Sequence, residues 1–127
     1  MSDETQLKIC LATSEMTPFA KTGGLADVSA ALAVYFDETG HDLRLLMPMY
    51  PVIDPSVLDM TIVPELQDMQ LTVGGQTFYY DIVQVAMEHF PVAIYMLRCP
   101  ELFHGESLYG GYDEHVRFTL LSRAAIE

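Results

Sequence analysis

Two apolar runs flank one helical pattern, and a glycine pair marks where the first run gives way to the helix. Residues 7–13 read Leu-Lys-Ile-Cys-Leu-Ala-Thr. Continuous apolar character of this kind suits a parallel strand covered on both faces. A helix is expected from about Gly24 to Thr39, because Leu25, Val28, Leu32, Tyr35 and Phe36 recur at helical spacing. Gly40 is a good C-terminal stop. Asp42 to Met47 makes a second strand, ended by Pro48. The result is a β-α-β unit, whose crossover is right-handed. This pattern commits the chain to an α/β fold.

The remainder extends that fold. Pro48 to Pro64 holds four prolines (Pro48, Pro51, Pro55 and Pro64) and reads as a loop with at most a helical turn near Pro55 to Leu58. A hairpin follows, from Met69 to Val73, through Gly74-Gly75, into Gln76 to Met87, with a tight primed turn at the glycine pair. Phe78, Tyr80, Ile82 and Val85 alternate imperfectly, which leaves room for a bulge. Val92 to Leu97 is a further buried strand, and Pro100 to Tyr112 is a glycine-containing loop. A last helix starts at Asp113 or Glu114, with Val116, Leu120, Leu121 and Ala124 spaced for burial. It is still running at Glu127 without a capping glycine or proline, which points to a truncated polypeptide. The expected organisation is a disordered tail over residues 1–6 and one α/β domain over residues 7–127.

A chain of 127 residues can build a single core. Its net charge of −12 argues against nucleic-acid and anionic-membrane surfaces. No segment approaches the roughly 18 apolar residues of a membrane span. The acidic start, Met1-Ser2-Asp3-Glu4, lacks a secretory profile, so the chain reads as cytoplasmic. Cys10 and Cys99 fall in or beside apolar runs and are expected to be buried free thiols. His41, His89, His104 and His115 lack close metal-ligand spacing. Neither a metal nor a cofactor is expected.

In so acidic a chain an anion site has to be local. Of six basic residues, Lys21 is the one set in a glycine turn. The segment Ser14 to Val28 is Ser-Glu-Met-Thr-Pro-Phe-Ala-Lys-Thr-Gly-Gly-Leu-Ala-Asp-Val. A strand feeding a glycine turn and then a helix presents backbone N–H groups and about half a unit of positive charge. Together with Lys21 this reads as a phosphate site, against the plainer reading of Gly23-Gly24 as a tight turn. Asp27 can meet the helix dipole, and Glu15 can orient the loop or bind its amides. Tyr79 and Tyr80 fit strand packing better than sugar stacking. Ser14 and Ser122 have no neighbouring base.

Ser14-Glu15, Pro18-Phe19 and Lys21-Thr22-Gly23-Gly24-Leu25-Ala26-Asp27-Val28 resemble the N-terminal signature of bacterial glycogen synthases and plant starch synthases. Gly40-His41-Asp42, Arg44 to Tyr50, Leu102-Phe103, Tyr109-Gly110, Arg117-Phe118 and Ser122 to Ala125 follow in the family's order. The resemblance implies a Rossmann-like, three-layer sandwich with a mostly parallel sheet and a β-hairpin insertion. It implies a retaining glycosyltransferase that moves glucose from ADP-glucose to an α-1,4-glucan without an obligatory metal. Lys21, Thr22, Gly23, Gly24 and Asp27 carry over as ADP-glucose contacts; no catalytic residue is assigned. The family's Asp-Trp-His segment has no counterpart in a chain without tryptophan, and its nucleotide-binding second domain is absent. Phe103 to Ser107 also departs from the family's wording. The implied piece is therefore a partial N-terminal catalytic domain, inactive alone, whose partner is the missing C-terminal domain or another copy. The rival is a stand-alone noncatalytic domain that binds a glucan or a partner and oligomerises.

Overall fold

The computed structural model describes residues 6–16, 19, 23–51, 53, 59–86, 92–103 and 114–126. In chain order the elements are β1 (Lys8–Ala12), α1 (Gly24–Glu38), β2 (Asp42–Pro48), β3 (Asp59–Ile62), β4 (Met69–Val73), β5 (Gln76–Ala86), β6 (Ala93–Arg98) and α2 (Glu114–Ile126). A 3₁₀ turn over Pro64–Leu66 separates β3 from β4.

One mixed sheet carries all six strands, in the order β1-β2-β6-β5-β3, with β4 also paired to β5. The β-α-β reading holds: β1 lies parallel to β2, with Lys8 opposite Asp42 and Cys10 opposite Arg44. β2 is in turn parallel to β6. The hairpin does not stand apart as an appendage. β5 pairs antiparallel with β6 and makes the hairpin strands a second wing of the same sheet. Gly74 and Gly75 have φ of 61° and 82°, the positive values a primed two-residue turn requires.

Strand parity sorts the core into two layers. Leu45, Met47, Ile94 and Met96 are fully buried on one face, with α1 packed on β2. Leu46, Leu97, Tyr80 and Ile82 belong to the other face, where α2 lies against β4, β1 and β2. Leu120 and Leu121 of α2 are buried as their spacing predicts, and so is Arg117.

Three expectations are corrected. The first strand is covered unevenly: it is a border strand of the described sheet, and Lys8, Cys10 and Ala12 are exposed along it. Cys10 is therefore an accessible thiol, whereas Cys99 is buried, and both are free. The second correction concerns α1. Leu25, Val28, Leu32 and Tyr35 are exposed, and the helix buries Ala26, Ser29 and Ala33 instead. Small residues let the helix lie close on β2, and the large apolar side chains are turned outward. The third is β3, a strand inside the proline-rich stretch, held antiparallel to β5 from Asp59↔Ala86 to Ile62↔Val83. The helical turn expected near Pro55 to Leu58 lies outside the described residues.

Candidate functional site

The carboxyl ends of β1, β2 and β6 lie side by side, and the segments leaving them are tied together. Parallel α/β sheets bind ligands at this end. After β1, Thr13 N donates to Leu46 O at 3.0 Å and keeps the chain in register with β2 for one residue more. The Thr13 hydroxyl donates to Glu15 O at 2.9 Å. With its proton used there, it accepts from Ser29 Oγ of α1 at 2.8 Å.

Glu15 is the centre of the arrangement. Its side chain is 1% exposed, and one oxygen, Oε1, accepts the amides of Gly23 at 3.3 Å and Ala26 at 3.2 Å. α1 has no side-chain cap from its own N-cap residue, Gly23. Glu15 serves as that cap from eight residues upstream. A carboxylate at the positive end of a helix is stabilised by the unpaired amides of the first turn. Among the described residues, the amides of Gly24 and Leu25 take no such partner.

Gly23 and Gly24 are exposed, and a Cβ built on either would meet nothing within 4 Å. Gly23 has extended backbone (φ −168°), which any residue adopts. No described neighbour requires a missing side chain at either position. Open space beside two bare backbone units is what close approach by a ligand needs. Asp27 is exposed in the first turn of α1. Lys21 and Thr22 lie outside the described residues, as do His104 and Glu106.

The other two exits brace this loop. Tyr50 follows β2, and its hydroxyl donates to Ser14 O at 2.7 Å. The Tyr50 ring meets Phe103 edge-on, 5.8 Å between centroids. The Arg117 guanidinium lies 5.5 Å from the Phe103 ring centroid, and its Nε donates to Leu102 O at 2.6 Å. A buried arginine, an aromatic pair and a tyrosine hydroxyl thus link α2 to the Ser14 backbone. None of this was visible in residue spacing. The one available signal was an arginine at a core-facing position of the last helix. Cys99, beside the same loop, is buried, and that burial pushes its thiol up from its ordinary value. Among the described residues no three His, Cys, Asp or Glu side chains are grouped to hold a metal, and His41 instead accepts the Leu7 amide at 3.1 Å.

A parallel β-α-β unit with a braced glycine loop at its carboxyl end defines a Rossmann-like α/β domain. Its relatives are specific. The profile of the starch synthase catalytic domain matches residues 8–127, and the chain belongs to that family. It is 37% identical to glycogen synthase 1 of Geobacter sulfurreducens, across 97% of this chain and 25% of that protein. It is 36% identical to the glycogen synthase of Clostridium perfringens, across 95% of this chain and 24% of that one. Its fold superposes on the catalytic domain of starch synthase IV from Arabidopsis thaliana, solved with ADP and acarbose, with a TM-score of 0.82 and 25% identity. That match covers 96% of this chain and 25% of the other. The chain spans about a quarter of the length of the relatives it matches.

Proposed function

We propose that residues 7–127 form part of the N-terminal catalytic domain of a retaining glucosyltransferase, and that the Glu15-braced loop is its contact with ADP-glucose. Lys21, Thr22, Gly23, Gly24 and Asp27 are the contacts in this reading, and an α-1,4-glucan is the acceptor. The observation that carries it is the open space at Gly23 and Gly24, at the carboxyl end of a parallel sheet, in a chain of this family. Lys21 offsets charge on the departing diphosphate, as fixed cations do at leaving groups. The Gly24 and Leu25 amides add neutral donors. The bulk of the nucleotide is held by a second domain, so the chain alone does not turn over. A cytoplasmic setting is part of this reading. Among the described residues no helix is long and apolar enough to cross a membrane.

Thermal unfolding with ADP-glucose tests the reading. A rise in Tm that Lys21→Ala abolishes supports it; no rise at millimolar ligand rejects donor binding by this chain. A noncatalytic, self-associating domain is the second reading, favoured by the exposed Leu25, Val28, Leu32 and Tyr35 stripe on α1. Sedimentation showing a dimer without nucleotide response puts that reading ahead. Addition of the separately expressed second domain, followed by glucose incorporation, tests reconstitution directly.

A further inference from the structure

On the α2-side face of the sheet, a cavity of about 530 Å³ opens between the strands, the C-terminal turn of α2 and the start of β4, and no residue of the glycine loop lines it. This is the size range of small-molecule sites. Its floor is apolar and partly aromatic, built from Leu46, Tyr95, Ile82, Tyr80 and Met69, with Ala124 and Ala125 of α2 as one wall. Lys8 and Arg44 stand at its rim with Cys10 between them, because parity and register put Lys8 and Cys10 of β1 on the same face as Arg44 of β2.

The cations make this cavity unusual for so acidic a molecule. Of the five described Lys and Arg residues, three are engaged: Arg98 with Asp81 at 3.6 Å, Arg117 with Leu102 O, and Arg123 with Thr72 O. Lys8 and Arg44 are the other two; among the described residues neither has an ion pair, and both are exposed at one apolar cavity. Asp42, directly across from Lys8, also lines it, and so do groups of the last turn of α2, the negative end of that helix. The surplus of positive charge is therefore small. It matches one negative charge, not two.

We propose that this cavity binds small amphiphilic monoanions, with the apolar body on Tyr95, Ile82 and Met69 and the anionic head between Lys8 and Arg44. The site is separate from the glycine loop, and its test does not depend on sugar-nucleotide binding.

The probe is 8-anilinonaphthalene-1-sulfonate, added to the 127-residue chain and read by fluorescence. One saturable site is expected, weakened at least tenfold in the Lys8→Glu/Arg44→Glu double variant. Both positions are exposed, so circular dichroism of that variant should match the parent. Octyl sulfate should displace the probe, and octyl glucoside, with the same tail and no charge, should not. Unchanged affinity in the double variant overturns the proposal. So does equal displacement by the neutral detergent, which would make the site a hydrophobic patch only. Loss of binding in Leu32→Ser instead would move the probe to α1. A dimer that excludes the probe, and that the double variant dissolves, would assign the surface to a second copy.

Discussion

Glu15 sits almost wholly out of water, yet its carboxylate meets two amides of a helix that begins well downstream of it. Hydrogen bonds to a charged acceptor are worth more than neutral ones. Glu15→Ala is expected to cost about 2 kcal/mol in urea denaturation, and Glu15→Gln, which keeps an acceptor but not the charge, about 1 kcal/mol. The two cysteines separate just as cleanly. In the native chain a thiol reagent should modify Cys10, with Cys99 following only on unfolding. Burial holds the Cys99 proton on, so the folded state binds it more tightly than the unfolded state does. That contribution to stability is complete below the ordinary thiol value of 9.0 and fades as pH rises past it, because the unfolded chain gives up its proton first. Stability measured between neutral and strongly alkaline pH should fall less steeply in Cys99→Ala than in the parent.

At the level of elements, α1 shows how one periodicity can be read from the wrong side. Its large apolar residues share one side of the helix, but Ala26, Ser29 and Ala33 are what β2 can accept at close range. Ala33→Leu should destabilise by about 1–3 kcal/mol through overpacking. Leu32→Ser should change stability by no more than about 0.5 kcal/mol and lower any self-association seen by sedimentation. The sequence made the strand and helix order, the hairpin turn and the α2 core face legible, because glycine turns and helical spacing are local signals. β3 was not legible: four residues among prolines carry too little pattern, and the strand exists because β5 is long enough to pair with it. The exposure of β1 was hidden for a related reason, since an apolar run cannot say whether both of its faces find a cover. At the site, Glu15 and the glycine pair could be singled out from sequence. The Arg117–Phe103–Tyr50 brace could not, because it joins three segments distant along the chain.

Across the whole molecule, 18 acidic side chains stand against 6 basic ones, a net charge of −12. Self-repulsion of this kind weakens a compact state and is screened by salt. Raising ionic strength from about 0.01 M to about 0.5 M should therefore raise the Tm, with Arg98→Ala, which removes one end of the Asp81 pair, unfolding earlier at every salt concentration. The sheet's order has a further consequence for how the chain is made. β2 lies between β1, which precedes it, and β6, which is synthesised only after β3, β4 and β5. While a ribosome is still extending the chain, the β1-α1-β2 unit emerges with one flank of β2 unmatched, and the hairpin wing can assemble on its own short-range contacts. Arrival of β6 joins the two halves, so a pause in translation before Ala93 is the interval in which a chaperone has most to hold.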